Sequence, residues 1–349
     1  MPKFLISRRE SLGLAASVAG AAAASALGAA SAAAAPAAAK KPNVDFVTKV
    51  DFNSPEWNRD IRARMTSDVD PTKEKLGWLK GKVYGVRPNE AVRTLFAFEG
   101  FSLVRTKRLP DGSWRRLLRE TVFYRDIKTG KILKTWHNPY TNETVRVVPI
   151  ANNPYNSTVT AYSRSGKPYL GEWIEGPNNT LTLYSGVNLF YPNLLQPSKW
   201  PRESAGEFNQ VTENFYYTVN RADAENPNLT NVPVLGAWQR ITPWLPWMLM
   251  GAAPGHIDYF SMFATIPGGR DGLKNLPQDL VEAARENDPL MLSAPTEDNL
   301  PNESSLEAYA KEQQPAPVPP GWQPPQPPPP PEFTGDPANL GRQGAGPSN

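Results

Sequence analysis

The stretch ETVFYRDIKTGKILKTWHNPYTNETVRVVPI, residues 120–150, decides the predicted fold class. It contains three runs rich in β-branched and aromatic residues, Val122–Arg125, Ile132–His137 and Thr144–Val148. Short turns of Gly, Pro and Asn separate these runs, and such residues bend the chain sharply between antiparallel strands. The stretch therefore predicts an antiparallel β-meander, whose second bend at 136–143 is densely polar and aromatic.

The same alternation of strand residues and turns continues on both sides of this meander. About eight strands fall within about 100 residues, and this spacing favours antiparallel sheets over βαβ units. The predicted fold is mainly β, an antiparallel β-barrel or sandwich of about 8–11 strands with a few short helices. Outside the meander, the predicted strands are Lys82–Val86, Arg93–Arg108, Trp114–Arg125, Thr158–Ser163, Tyr169–Glu175, Thr180–Ser185, Asn209–Asn220 and Val232–Ile241.

Capping patterns predict three short helices. The run Ser54–Trp57 combines an N-cap, a proline at the first helical position and an acidic first turn, and the helix is predicted to extend through Arg64. A second helix is predicted within 277–286. Ser304 or Ser305 can cap a last helix.

The N-terminal segment, residues 1–39, has the composition of a signal peptide. Arg8 and Arg9 precede a weakly apolar, Ala-rich run, and this pattern resembles a bacterial twin-arginine signal. Ser11 stands where such signals usually carry a large apolar residue, and Leu12 follows it. An ordinary secretory signal is the alternative.

The leader predicts a bacterial protein that is periplasmic or secreted, with the twin-arginine export machinery as a partner. Its Ala-rich run is too weakly apolar to predict a stable membrane span. Residues 40–311 are predicted to form a single β-rich domain. Residues 312–349 are rich in Pro and Gly, and we expect a disordered tail that is extended where the prolines are densest.

The charge balance and residue types exclude several functional classes. The formal net charge is +3, and removing the leader leaves about +1, so no nucleic-acid partner is expected. The chain has no Cys, which excludes disulfides, thiolate metal sites and Cys nucleophiles within it. Its two His residues are too few for a three-His zinc site. Neither a cofactor nor a metal site is predicted.

The candidate catalytic residues are His137, Glu143 and His256. His137 ends a predicted strand with Glu143 across the turn, and an imidazole oriented by a carboxylate suits proton abstraction near neutral pH. The alternative for His137 is a turn residue that hydrogen-bonds the backbone. His256 follows a Pro-Gly bend and precedes Asp258, a pattern that suits acid–base chemistry or, with two further carboxylates, a metal site.

The candidate ligand-binding residues are aromatic, apolar or charged side chains in three Pro-interrupted segments. A Trp- and Met-rich run broken by Pro and Gly predicts an apolar wall or lid over a pocket, and additional core is the alternative. These residues are Trp136, Tyr140, Trp200, Arg202, Glu203, Trp244, Trp247 and Met248.

Charged residues also recur within the predicted strands. Solvated strand faces are the ordinary explanation, and an interior Arg/Glu network is the sharper alternative. An inward-facing Glu120 would need a cationic partner such as Arg105. The residues concerned are Glu99, Glu120, Glu172, Glu175, Arg87, Arg105, Arg119, Arg125 and Arg146.

Two short motifs, Asn138–Thr141 (Asn-Pro-Tyr-Thr) and Trp200–Glu203 (Trp-Pro-Arg-Glu), are the most specific part of a wider pattern. With further segments at 81–88, 99–102, 119–120, 191–197, 243–248 and 301–305, they resemble the domain-of-unknown-function 1838 family. The resemblance covers roughly residues 45–310. It implies an exported bacterial protein, often with a twin-arginine leader, and it implies no activity and no catalytic residue.

Two functional classes stay open from the sequence. The first is a module that binds a small hydrophobic or aromatic molecule in a β-barrel-like pocket, and it is favoured because no nucleophile or metal pattern is visible. The second is a cofactor-independent enzyme, an isomerase, cyclase or hydrolase, that acts on such a molecule with a His/Glu/Arg site. A weaker third option is a structural envelope protein whose Pro-rich tail recruits a partner.

Overall fold

The computed structural model describes residues 44–330 and shows a mainly antiparallel β protein. Its strands are β1 (Lys75–Val86), β2 (Arg93–Arg108), β3 (Trp114–Arg125), β4 (Thr135–Asn138), β5 (Glu143–Arg146), β6 (Ile150–Asn152), β7 (Ser157–Val159), β8 (Glu172–Gly176), β9 (Thr180–Pro192), β10 (Phe208–Asn220), β11 (Leu235–Thr242) and β12 (His256–Ile266).

Ten of these strands form one sheet. Its order is β6-β3-β2-β1-β12-β11-β10-β9-β8, and β7 pairs with β3 beside β6. Every strand pair in it is antiparallel. The edge strands β6 and β8 do not pair with each other within residues 44–330, so the sheet is open and is not a closed barrel.

Within residues 44–330, four short α-helices and four 3-10 turns connect or cover the strands. The helices are α1 (Pro55–Thr66), α2 (Arg221–Glu225), α3 (Gln278–Asn287) and α4 (Ser305–Glu312), and the 3-10 turns are Pro177–Asn179, Pro246–Met248, Gly269–Asn275 and Pro289–Leu292. The predicted capping residues are confirmed. The Ser54 hydroxyl accepts a hydrogen bond from the Trp57 N–H at 3.1 Å, and Ser304 forms a capping box with Glu307.

The strand predictions are most accurate where periodicity and turn chemistry agree. β2 and β3 begin and end at the predicted residues. The turn between them is stabilised by Asp111, which accepts a hydrogen bond from the Ser113 N–H at 2.9 Å, and Gly112 adopts φ 80°. A positive φ is a conformation that glycine adopts without steric cost, which explains the Asp-Gly pair.

The predicted meander is wrong as one continuous sheet. The turn at Lys128–Gly130 forms as expected, and Ile132 makes a single bridge to Arg125 on β3. The chain then leaves the sheet, and β4 and β5 pair only with each other. Trp136 on β4 packs against the core instead. Pro149 has no N–H to donate and interrupts the chain before β6, which rejoins β3.

β12 was not predicted from the sequence, and it is central to the sheet. It pairs with β1 on one side and with β11 on the other. The missed signal is an alternation of period two, because Ile257, Tyr259, Ser261 and Phe263 are buried and the residues between them are more exposed. β9 is also longer than predicted, since it continues to Pro192 through the first part of a segment expected to be irregular.

The sheet curls, so that side chains of separated strands meet on its concave side. Two strands lie between β2 and β11, yet the ring centroids of Phe98 and Trp238 are 6.1 Å apart. The hydroxyls of Tyr124 on β3 and Tyr259 on β12 are 3.0 Å apart. A flat sheet would separate strands that far apart by about 14 Å. Helix α1 packs Trp57 into the same core.

The Pro-rich segment differs from the predicted disordered tail over its described part. Residues 313–330 have no regular secondary structure, but they contact the domain. Glu203 accepts a hydrogen bond from a tail N–H at 2.5 Å, and Arg202 and Asn89 each donate to a tail carbonyl at 3.0 Å. Residues 331–349 lie outside the described part of the chain.

The predicted twin-arginine leader also lies outside the described residues, which begin at residue 44. Among the helices that the structure describes, none combines the length and the apolar character that crossing a bilayer requires.

Arg64 of α1 joins the helix to the connection that follows β10. Its fully buried guanidinium donates to the carbonyl oxygens of Ala224, Leu229 and Asn226 at 2.7, 2.8 and 2.8 Å, and to that of Asp223 at 3.2 Å. Burial lowers the pKa of Arg64 to about 10, so the side chain is still charged at neutral pH.

We predict that Arg64→Met lowers the free energy of unfolding by about 3–5 kcal/mol, because it leaves several buried carbonyls without a donor. Urea unfolding followed by circular dichroism measures this. Arg270→Met, at an exposed position, is the control and should change the value by less than about 0.5 kcal/mol. A similar small effect for both substitutions would contradict the role given to Arg64.

Candidate functional site

Most of the predicted ligand-binding residues meet at one end of the core. The rings of Phe96 and Trp136 lie 5.5 and 6.0 Å from that of Trp247. Trp244, Trp247 and Met248 are at most 4% exposed. These side chains fill the space between one another, as core residues do. These residues therefore pack as part of the core, which was the alternative predicted from the sequence.

Tyr140 and Trp200 lie beside this cluster and also make packing contacts. The Tyr140 ring lies 4.8 Å from the guanidinium carbon of Arg87 and 5.3 Å from that of Arg93. Trp200 is 2% exposed and packs against Tyr309 of α4. Such cation–π and ring contacts stabilise the end of the core.

Arg202, Glu203 and Glu143 hold the Pro-rich segment against the domain. The Arg202 Nη2 atom is 2.6 Å from both carboxylate oxygens of Glu143, and its guanidinium lies 5.6 Å from the ring centre of Trp322. Glu203 accepts the hydrogen bond from the Ala316 N–H. These three charged residues therefore join three segments of the chain, and Glu143 contacts Arg202 in place of His137.

The two histidines lie on different elements. His137 is exposed on β4, and its Nδ1 atom is 3.5 Å from the Thr144 hydroxyl. His256 begins β12, where its Nε2 atom is 3.6 Å from Asp258. Burial raises the pKa of Asp258, and His256 offsets part of that rise. Neither histidine lies on the concave face. Within residues 44–330, no three His, Asp or Glu side chains are grouped in a way that could hold a metal ion.

A different set of polar and aromatic residues lies on the concave face, where strands β3 and β6 face strands β10, β11 and β12 across the curled sheet. Alternate residues of a strand share a face, so the strand pairings identify this set. Glu120 pairs with Ser102 on β2 and with Asn152 on β6, and Glu213 on β10 pairs with Arg240 on β11. We call the set the interior cluster: Arg116, Glu120, Tyr124, Asn152, Glu213, Tyr217, Trp238, Arg240 and Tyr259.

Glu120 is the group of the interior cluster whose charge changes near neutral pH. Its side chain accepts a hydrogen bond from Asn152 at 2.8 Å. It keeps some contact with solvent, although most of its side chain is covered by protein. Burial raises the pKa of Glu120 from 4.5 to about 7, and the nearby Glu213 adds to the rise, while Asn152 and Arg240 oppose it.

Glu213 and Arg240 form an ion pair within the interior cluster. The Arg240 Nη1 atom is 2.7 Å from a carboxylate oxygen of Glu213, and 34% of the Arg240 side chain is exposed. Burial raises the pKa of Glu213, and Arg240 only partly compensates. Burial alone would lower the pKa of Arg240, but Glu213 and the surrounding tyrosines raise it. Arg240 therefore keeps its charge within the interior cluster.

Two hydrogen-bond donors of the cluster have no partner within the described protein. They are the hydroxyl of Tyr217 and the indole N–H of Trp238, and both atoms are buried. Burying a polar atom without a partner costs about 1–3 kcal/mol, so such atoms deserve a functional explanation. Burial also raises the pKa of Tyr217, which keeps its hydroxyl protonated as a donor.

The aromatic residues of the interior cluster pack against one another and against Phe215 on the concave face. The ring of Trp238 lies 5.5 Å from that of Tyr259 and 6.4 Å from that of Phe215. Tyr124 and Tyr259 join their hydroxyls in a hydrogen bond, and burial raises the pKa of Tyr259 to about 12. The interior cluster thus combines aromatic surface with a few polar groups, which is the usual composition of a small-molecule site.

The interior cluster was only partly anticipated from the sequence. Glu120 was named as an inward-facing candidate, but the suggested partner Arg105 pairs with Glu74 at 2.8 Å. Glu213 and Arg240 were missed, although each is the one charged residue in an alternating strand. A charged residue in register with buried neighbours on a strand is the signal that could have identified them.

A comparison with protein-family models identifies the family to which the chain belongs. A family model described as "Protein of unknown function (DUF1838)" matches residues 72–313. The chain belongs to this family. The match includes β1 to β12, α3 and α4, together with every predicted site residue, and it stops where the Pro-rich segment begins. No curated protein matches the chain.

We predict that Glu120 gives the family domain a specific pH dependence. Because the pKa in the folded state lies above 4.5, the folded protein binds the extra proton, and the free energy of unfolding falls as pH rises from about 4.5 to about 7. Glu120→Gln removes this contribution. The stability of the variant relative to wild type should therefore rise across that window, by at most about 3.5 kcal/mol at about 1.4 kcal/mol per pKa unit.

Urea unfolding at pH 5 and pH 8 measures this difference. Glu172→Gln, at an exposed position of β8, makes the same chemical change outside the interior cluster and should show no such rise. An equal difference between Glu120→Gln and wild type at both pH values would contradict the raised pKa.

Proposed function

We propose that the interior cluster lines a cleft on the concave face, here called the interior cleft, and that this protein binds a small hydrophobic or aromatic molecule in it. A polar group of that molecule is held by Glu120, Tyr217 and Trp238. The observation that carries the proposal is the pair of buried donors without a protein partner, the Tyr217 hydroxyl and the Trp238 indole N–H. A ligand oxygen would accept from either donor, which would remove the free-energy cost of leaving it unpaired.

The charges of the cleft indicate what the ligand's polar group is like. The Glu213–Arg240 pair is already neutral as a unit, and Glu120 is about half protonated near pH 7 because its pKa is about 7. A neutral hydrogen-bonding group, such as a carbonyl or hydroxyl, fits this environment without leaving a charge unpaired. The aromatic wall around Trp238 would take the apolar part of the molecule.

A second candidate is a cofactor-independent enzyme, an isomerase, cyclase or hydrolase, that uses Glu120 as a general acid or base. The observation that favours it is the pKa of about 7, because proton transfer is most efficient when the catalytic pKa lies near the working pH. His137 and His256 have no part in this version. In this version, Glu120 and Arg240 would act as the Glu and the Arg of the predicted His/Glu/Arg site.

Native mass spectrometry of protein purified from its own host tests the binding proposal. We expect an added mass that is lost on denaturation. Glu120→Gln and Trp238→Phe should reduce its occupancy at least about tenfold, which corresponds to the loss of about one hydrogen bond to a charged or buried group. Glu172→Gln is the matched control and should retain the occupancy of wild type.

The outcome that would contradict binding is the absence of any added mass across several preparations, or equal occupancy in all variants. The same experiment separates the two candidates when it is repeated in deuterium oxide. An isomerase or cyclase that abstracts a carbon-bound proton would exchange it for deuterium, and a hydrolase would convert the retained molecule into products of different mass. Glu120→Gln would stop either change. A binding protein would show no exchange in either form.

We further propose that the chain is exported through the bacterial twin-arginine pathway to the periplasm or beyond. The support is the sequence of the leader, in which Arg8 and Arg9 precede an Ala-rich run. Replacing both arginines with lysine should leave the uncleaved precursor in the cytoplasm. Cell fractionation with an antibody to the domain measures this, and normal processing of the double variant would contradict the proposal.

A further inference from the structure

The Pro-rich segment lies on the domain with an exposure pattern that repeats every three residues. Between Trp322 and Pro327 it has no helix or strand, Gln323 and Gln326 are exposed, and the four other side chains are half-buried. A polyproline II helix has three residues per turn, so residues three apart share one side. The pattern therefore indicates a polyproline II run that directs one side to solvent and its other two sides to the domain.

A sharp turn precedes this run. The Trp322 N–H donates a hydrogen bond to the Pro319 carbonyl at 3.1 Å, and Gly321 adopts φ 73°. A proline followed by a residue with positive φ is typical of a type II turn. The turn divides the segment into a first leg, residues 315–318, and a second leg, residues 322–330, and both legs contact the domain.

The turn between β1 and β2 supplies hydrogen-bond donors to the second leg. Arg87 donates to the Pro325 carbonyl at 3.4 Å, and Asn89 donates to the Pro328 carbonyl at 3.0 Å. These two prolines are three residues apart, so their carbonyls point in the same direction and lie about 9 Å from each other. Because proline has no N–H and polyproline II has no internal hydrogen bonds, such carbonyls need donors from elsewhere.

Arg202, Glu203 and Gly251 receive the first leg and the turn. Arg202 donates to the Pro317 carbonyl at 3.0 Å, and Glu203 accepts a hydrogen bond from an N–H of the same leg. The Arg202 guanidinium lies 5.6 Å from the ring centre of Trp322. Gly251 leaves room for that ring, because a Cβ atom there would lie 2.7 Å from it.

The domain itself holds the two arginines in position. Arg202 is 2.6 Å from the carboxylate of Glu143, Arg87 is 3.4 Å from that of Glu90, and the Arg87 guanidinium lies 4.8 Å from the ring centre of Tyr140. Donors that are fixed before a ligand arrives lose less entropy when it binds. These residues also lie within the part of the chain that the family model matches, whereas the Pro-rich legs lie beyond it.

We propose that Arg87, Asn89, Arg202, Glu203 and Gly251 form a recognition surface for polyproline II segments, here called the polyproline-binding surface, and that residues 315–330 of the same chain are its occupant. A polyproline II segment is extended before it docks, which limits the entropy that it loses. Because the occupant is covalently attached, its high effective concentration keeps a second Pro-rich segment away. The surface is independent of the function of the interior cleft.

Fluorescence anisotropy with a labelled peptide of residues 314–330 tests the proposal on the chain with its complete C-terminal segment. Trp322→Ser removes the ring that contacts Arg202 and Gly251, and it should free the surface from its own segment. We expect this variant to bind the peptide with a Kd below about 100 µM. Wild type should bind it at least about tenfold more weakly, because its surface is occupied.

Two outcomes of this titration would overturn the proposal. One is a Trp322→Ser variant that does not bind the peptide, which would make the segment an inseparable part of the domain. The other is equal binding by the variant and wild type, which would mean that residues 315–330 do not occupy the surface. A peptide of the same composition in scrambled order should bind at least about tenfold more weakly, and equal binding of both peptides would also overturn recognition.

A pair of asparagines tests the surface itself in the Trp322→Ser background. Asn89→Asp replaces the donor to the second leg with an acceptor and should weaken peptide binding about threefold to tenfold, the value of one hydrogen bond. Asn178→Asp makes the same change at another exposed residue with positive φ, in the turn between β8 and β9. It should leave the affinity unchanged. An equal effect of the two substitutions would contradict the polyproline-binding surface.

Discussion

Charged groups that lie inside the curled sheet need a partner or must lose their charge, because the protein interior solvates ions poorly. The chain meets this constraint in three ways. Arg64 donates to backbone carbonyls, and Lys75 does the same to the Met65 and Val232 oxygens at 2.6 and 3.1 Å. Glu213 and Arg240 pair with each other. Glu120 instead has a pKa of about 7 and lies near both the negatively charged Glu213 and the positively charged Arg240.

These solutions divide the interior into structural and functional parts. Arg64 donates to backbone carbonyls of the connection between β10 and β11, and Lys75 donates to carbonyls at the end of α1 and at Val232, so they connect the helix to the sheet. The interior cluster differs, since it retains buried donors without a protein partner and keeps contact with solvent. A fully satisfied network favours stability, whereas an incompletely satisfied one beside an aromatic wall is suited to a ligand.

Much of the fold could be predicted from local pattern, and the exceptions have physical causes. β2 and β3 were correct because their alternation ends at an Asp-Gly turn. β12 was missed because a Trp- and Met-rich segment precedes it and a Gly-rich segment follows it, and composition then obscured its alternation. The hairpin of β4 and β5 leaves the sheet because Trp136 packs against Trp247, a contact that is distant in sequence.

The site was harder to predict, because residue type alone does not determine which group titrates near neutral pH. Histidine titrates near neutral pH without any help from its surroundings, so the sequence indicated His137 as a catalytic candidate. In the structure, His137 is exposed. Burial gives the same property to Glu120 only after folding. Likewise, an aromatic run such as the one around Trp247 has the same composition whether it lines a pocket or fills the core, and only the neighbouring side chains decide between them.

The central claim is that the concave face holds a cleft in which Glu120 is removed from bulk water. The most direct measurement is a carbon-13 NMR titration of the glutamate side-chain carboxyls, with Glu120 assigned by its disappearance in Glu120→Gln. A midpoint near pH 7 is the result that this account predicts. A midpoint near the ordinary value of 4.5 would show that Glu120 is solvated, and it would contradict the cleft.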